Sequence, residues 1–133
     1  MIARSTGHSL KEALTAVNLK LPETILQKLT SYLKLLWSWN RKINLTRHLT
    51  YELFVKRDLL DAVVLCTLLN QGEALLDVGT GGGLPGIPIA VLRPDLRVFL
   101  CDSSRKKAYA VSEIAKQLSH PVTVIEGRGE EVV

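Results

Sequence analysis

The sequence predicts an α/β fold, with N-terminal helices followed by a parallel β-sheet. Three observations predict it. The first half of the 133-residue chain carries apolar residues at helical spacing. The second half alternates short apolar runs of strand length with helical patterns, in the order strand, helix, strand, helix, strand. The first of those strand-length runs, Ala74 to Val78, breaks into Gly79, Gly81, Gly82 and Gly83, with Gly86 beyond. Such alternation argues for parallel strands joined by right-handed crossovers.

Bulk properties narrow the class. Hydrophobic residues make up 47% of the chain and charged residues 23%, which excludes a disordered chain. Seventeen Lys and Arg stand against thirteen Asp and Glu, a net charge of +4 that is compatible with a polyanionic partner without requiring one. Cys66 and Cys101 both fall in apolar runs, with neither metal-ligand spacing nor a disulfide framework, so two buried reduced thiols and a cytoplasmic setting are expected. The N-terminus lacks the apolar core of a signal peptide, and no apolar run reaches membrane-spanning length, so no membrane association is expected. No metal is expected, and no Ser-His-Asp or Cys-His arrangement supports nucleophilic catalysis.

Taken in order, Ser9-Leu10-Lys11-Glu12 reads as a capping box before a short helix with Leu10, Leu14 and Val17 on one face. Leu21-Pro22 opens the next helix, Pro22 suiting its first turn, and Ile25, Leu29, Leu33 and Leu36 carry the apolar stripe toward Asn40. Arg41 to Thr50 is polar and basic and reads as a connection. A third helix is expected from Tyr51 to Leu69; its second half is nearly all apolar and is expected to be deeply buried. Asn70-Gln71-Gly72 marks a boundary, dividing a helical region, 1–71, from a sheet region, 72–133. The second strand is Val98 to Cys101, and Ser103 or Ser104 caps a helix carrying Ala108, Val111, Ala115 and Leu118 inward. The third strand is Val122 to Ile125. With three strands the sheet is expected to be the first half of a larger one, with an apolar edge left bare.

The glycine cluster is the centre of the expected site. Four glycines in five residues exceed what a simple connection needs. Glycine permits the tight turn and close approach to a ligand, and the following helix start is expected to offer free amides. The pattern Gly81-x-Gly83-x-x-Gly86 fits a dinucleotide fingerprint, whereas Asp77-x-Gly79-x-Gly81-x-Gly83 resembles the first motif of S-adenosylmethionine methyltransferases. Asp102 ends the second strand 23 positions after Gly79, where an acidic residue accepts from a ribose hydroxyl in nucleotide-binding sheets or, alternatively, caps a helix. Gly129 and Glu130 follow the third strand, placed to meet an adenine edge or to form a solvated turn.

A second cluster is basic and aromatic. Between Lys28 and Arg57 lie seven basic residues and one acid, Glu52, together with five of the chain's seven aromatics. Cations neutralise phosphates and aromatic faces stack unpaired bases, so Arg41, Lys42, Arg47 and Arg57 are expected RNA contacts; the alternative is solvated helix faces. Arg57 and Asp61, four apart, are expected to pair. His48 reads as a surface residue.

Together, the segments Asn44 to His48, Lys56 to Val63, Leu75 to Asp95, Cys101 to Lys107 and Gly127 to Glu131 resemble the bacterial 16S rRNA guanine-N7 methyltransferases, the RsmG or GidB family. The resemblance covers nearly the whole chain from the second helix onward. It implies a Rossmann-like S-adenosylmethionine-binding sheet, and methyl transfer to N7 of a guanine in 16S rRNA of the small ribosomal subunit. It implies cofactor contacts at Gly79 and Leu84, at Asp102, Ser103 and Ser104, and at Gly129 and Glu130, and Gly81 of the same loop is assigned to the cofactor with them; no catalytic residue is assigned. The family's Arg-His-x-x-Asp-Ser reads Arg57-Asp58-Leu59-Leu60-Asp61-Ala62 here, and its aromatic after the Lys-Arg pair is Ala110. Its cofactor-contacting Ser-Arg-Ala segment is expected beyond Val133. The alternatives are a truncated, non-catalytic fragment that binds the cofactor or a partner, and an NAD-binding module. A complete fold is expected to be monomeric, and a fragment to pair through its open sheet edge.

Overall fold

The structure, a computed structural model, describes residues 9–132. The element order is α1 (Leu10–Ala16), α2 (Glu23–Asn40), α3 (Tyr51–Phe54), a π-helical turn (Val55–Leu59), α4 (Leu60–Leu68), β1 (Ala74–Val78), α5 (Gly86–Leu92), β2 (Arg97–Asp102), α6 (Arg105–Leu118), β3 (Thr123–Glu126) and α7 (Gly129–Val132). The strands form one parallel sheet in the order β1-β2-β3. The register aligns Val78 with Cys101 and Cys101 with Ile125, which brings the carboxyl ends of all three strands to one side. Strand β1 pairs with β2 alone, so the bare apolar edge is present among the described residues, with Val78 57% exposed.

Local chemistry sets the helix starts. Ser9 Oγ accepts from Glu12 N to open α1, Thr50 Oγ1 accepts from Leu53 N to open α3, and Ser104 Oγ accepts from Lys107 N to open α6. The cap of α6 is thus Ser104 and not Ser103. Pro22 stands one position before α2 rather than in its first turn. Leu29, Tyr32, Leu33 and Leu36 of α2 are buried, and α2 packs on α5 and α6 while α4 packs on α5. Ile87 and Ile89 of α5, Leu100 of β2, and Val111 and Ile114 of α6 complete the centre of the apolar cluster.

Two expectations about the third helix are corrected. The segment is not one regular helix: the π-helical turn at Val55–Leu59 interrupts it. That wider turn shifts the phase of the residues after it, and Arg57 and Asp61 form no ion pair; Asp58 meets His48 instead, Oδ2 to Nδ1 2.9 Å. His48 is therefore half-buried and paired rather than a free surface residue. The second half of the helix is also not deeply buried. In α4 only Ala62 is buried, while Val64, Leu65 and Leu68 are 58%, 39% and 71% exposed. Among the described residues α4 is packed against α5 but not enclosed, and an apolar run reports a preference for burial without supplying the surface that provides it. Cys101 is buried as expected, whereas Cys66 is half-buried; both are free thiols.

Candidate cofactor site and its basic margin

The glycine loop leaves β1 with Gly79 at φ +70°, and nothing lies within 4 Å of where a side chain there would begin. That left-handed backbone favours glycine, and the space before it is open. The opposite holds deeper in the loop. A methyl at Gly83 (φ +94°) would meet Ile87 Cδ1 at 2.6 Å, and one at Gly86 would meet the side chain of Leu100 and Asp77 Oδ2. The loop is thus packed tightly on its inner side and open at its first glycine.

Two carboxylates hold this loop. Asp77, buried at the end of β1, accepts through Oδ2 from Thr80 Oγ1 (2.7 Å) and Gly86 N (2.9 Å). Burial raises its pKa above the ordinary carboxylate value; the Thr80 and Gly86 donors oppose that rise and the nearby Asp102 charge adds to it. Asp102, at the end of β2 and buried, accepts from Gly81 N (2.9 Å) through Oδ2 and from Ser104 N (2.8 Å) through Oδ1. It is not the helix cap; it is the bond between the loop and the next strand. From the helical side, Tyr32 Oη donates to the Gly82 carbonyl at 2.8 Å, a contact that no sequence spacing announces.

The free amides expected at the helix start are not there. Gly79 N and Thr80 N donate to Cys101 O, Gly81 N to Asp102, Gly83 N and Leu84 N to Thr80 O, and Gly86 N to Asp77. A dinucleotide loop binds its pyrophosphate through such amides. Here all of these but the Gly82 amide are already bonded, and the two carboxylates that hold the loop bring negative charge beside it. The loop suits a phosphate-free, cationic ligand better than a dinucleotide.

The remaining expected residues gather around it. Gly129 is buried and stands against Val78 at the end of β1, leaving no room there for a side chain, with Glu130 exposed beside it. Gly127 N donates to Asp102 O, which ties the exit of β3 to the end of β2. Leu84 is half-buried against the core, and Ser103 is exposed beside Ser104. Gly79, Gly81, Asp102, Ser103, Ser104, Gly129 and Glu130 therefore share the carboxyl end of the sheet. Among the described residues no group of three His, Cys, Asp or Glu could hold a metal, and no helix is long and apolar enough to cross a membrane.

The basic residues divide. Arg41 and Lys42 line an open basin of about 380 Å³ together with Lys106, Lys107, Asn44 and Ser104. Arg47 and Arg57 are exposed but do not line it. Lys106, Lys107 and the nearby Tyr109 fall outside the cluster that the sequence suggests, because they lie more than sixty positions from Arg41 and Lys42 and reach them only through the packing of α6 on α2.

The family model for rRNA small subunit methyltransferase G matches residues 25–133. The chain belongs to that family. Curated relatives named ribosomal RNA small subunit methyltransferase G agree. The Rhodopirellula baltica protein is 46% identical over 123 residues, 92% of this chain and 53% of the relative. The Chromobacterium violaceum protein is 43% identical over 91% of this chain and 58% of the relative. The Neisseria meningitidis protein is 37% identical over 92% and 60%. The chain spans between about half and three-fifths of the length of these methyltransferase G relatives. The three-stranded parallel sheet with its helices is consistent with half of a methyltransferase fold.

Proposed function

We propose that this methyltransferase G chain binds S-adenosylmethionine at the carboxyl ends of β1, β2 and β3, and that it serves methyl transfer to N7 of a guanine in 16S rRNA, presented as RNA or within the small ribosomal subunit in the cytoplasm. The observation that carries the reading is the glycine loop itself. It is open at Gly79 and flanked by Asp77 and Asp102, and its amides other than that of Gly82 are bonded within the chain.

S-adenosylmethionine supplies a methyl group on a cationic sulfonium. The residues present fit it: Gly79 leaves open space for close approach, the two carboxylates favour a cation, and no row of free amides asks for a phosphate. Asp102 would accept from the ribose hydroxyls with the lone pairs left over from its two amide bonds, and Gly129 and Glu130 would border the adenine. Guanine N7 carries an available lone pair, so no base is needed to remove a proton before attack. What the chain must do is hold N7 in line with the methyl, and positioning of this kind supplies roughly 7–11 kcal/mol of a barrier.

The test is titration calorimetry with S-adenosylhomocysteine, with NADH as the control. Saturable binding of the first and none of the second is expected. Asp102→Asn distinguishes the roles of that carboxylate: an amide has one oxygen for two backbone donors, so both affinity and stability should fall. NADH binding in place of S-adenosylhomocysteine would overturn the reading.

A further inference from the structure

The basin beside the loop brings together four cations from two distant segments. Arg41 and Lys42 follow α2, and Lys106 and Lys107 stand in the first turn of α6. No acid lines the basin, and none of the four makes an ion pair with a described residue. Four uncompensated positive charges around one hollow are unfavourable to each other and favourable to a polyanion.

An aromatic pair stands next to it. Trp39 on α2 and Tyr109 on α6 meet edge-on, with ring centroids 5.9 Å apart, and Lys42 Nζ lies 5.1 Å from the Trp39 ring centroid. Tyr109 is three residues from Lys106 on the same helical face and is 60% exposed. An exposed aromatic held in place by a second ring, one turn from a lysine, has no packing role that explains its exposure. The other tryptophan is engaged differently: Trp37 donates to His48 O and meets Tyr51 edge-on.

The basin also touches the candidate cofactor site. Ser104 lines it, and Ser104 N is bonded to the carboxylate of Asp102 that holds Gly81.

We propose that this basin binds the sugar–phosphate backbone of an unpaired RNA segment, with one base stacked on Tyr109 and the strand directed toward the glycine loop. The inference rests on the proposed RNA substrate and adds where and in which form the RNA is held. Phosphates need the four cations; a duplex hides the base faces that Tyr109 would meet, so a single strand is the ligand that uses both features.

The test measures fluorescence anisotropy of a labelled single-stranded RNA oligonucleotide, and of its duplex, across a salt series. The proteins are the chain itself, Lys106→Ala/Lys107→Ala, Arg41→Ala/Lys42→Ala, Tyr109→Ala and a control, Lys11→Ala/Lys116→Ala. Removing one phosphate-binding cation should reduce the salt slope by about 0.7, so either basin variant, which removes two, should flatten it by roughly 1.4 while the control leaves it unchanged. Tyr109→Ala should weaken single-strand binding roughly 5- to 150-fold, the worth of one base–aromatic stack, with little change in slope. A control that weakens binding as much as the basin variants do, equal weakening of duplex and single strand in Tyr109→Ala, or competition by an acidic polypeptide as effective as RNA at equal charge would each overturn the proposal. Calorimetry with S-adenosylhomocysteine on the same proteins separates the two readings. Cofactor binding without basin-dependent RNA binding sinks the basin; basin-dependent RNA binding without cofactor binding upholds it and sinks the methyl-transfer reading.

Discussion

Tyr32 and Gly82, fifty positions apart, are joined by a 2.8 Å hydrogen bond from the phenol to the loop carbonyl, with Tyr32 fully buried. Burial, with the charges of Asp58 and Asp77, pushes the phenol well above its ordinary pKa, so it remains a donor. The helical region thus holds the glycine loop directly. Tyr32→Phe keeps the ring and removes the donor, leaving a buried carbonyl with one partner fewer. The expected loss is about 1–3 kcal/mol in urea denaturation, together with weaker binding of S-adenosylhomocysteine. A variant as stable as the parent, with unchanged affinity, would show that the bond does not hold the loop.

The glycines should separate strain from ligand space. Gly79→Ala introduces a left-handed alanine into open space, at a cost of roughly 1–2 kcal/mol, and places a methyl where the ligand is proposed to approach. Its affinity should fall more than its stability. Gly86→Ala forces a methyl against Leu100 and the Asp77 carboxylate, so stability should fall by roughly 1–3 kcal/mol or more. Thermal melts and calorimetry on the pair check this; identical behaviour of the two variants would contradict the geometry.

The exposed face of α4 should be tolerant. Leu68→Gln is expected to change stability of this chain by no more than about 0.5 kcal/mol, because Leu68 is 71% exposed. Leu36→Ala, at a buried position of α2, should cost about 2–5 kcal/mol. A large loss at Leu68 in denaturant titrations would mean that the face is covered in solution.

Acid should weaken one particular junction. Arg93 grips Asp95 with two 2.8 Å bonds and donates to the carbonyls of Cys66 and Leu69 at the end of α4. Asp95 in turn accepts from Gly72 N. The Arg93 guanidinium, followed by the Gly72 amide, holds the Asp95 carboxyl well below the usual carboxylate range. A depressed folded-state pKa gives stability that is present above the unfolded value of about 4 and is lost as pH falls through the folded value. Asp95→Asn should therefore be less stable than the parent at pH 7, and the difference should narrow as the pH drops below about 4. A difference that stays constant with pH in denaturant titrations would assign the effect to packing instead.

Much of the architecture is legible in the sequence because its signals are local. The strand at Ala74–Val78, the capping serines, the long stripe of α2 and the glycines after β1 each depend on neighbours within a turn or a strand. Family motifs in the same segments carry the reading to methyltransferase G. The exposure of α4 is not legible, because an apolar run states what a helix prefers and not which partner surfaces are present. Nor is the separation of Arg57 from Asp61, because a π-helical turn changes which residues face each other.

By itself, then, the sequence determined the α/β order, the place of the glycine loop and, to within a residue, the ends of the strands. Only the tertiary structure decided how they are used. Parallel pairing put Asp102 onto Gly81, the packing of α2 put Tyr32 onto Gly82, and the packing of α6 on α2 carried Lys106, Lys107 and Tyr109 to Arg41, Lys42 and Trp39. The physical reason is range: periodicity and capping act over a few residues, whereas which donors remain free and which charges share a hollow depends on segments that meet only after the chain has folded.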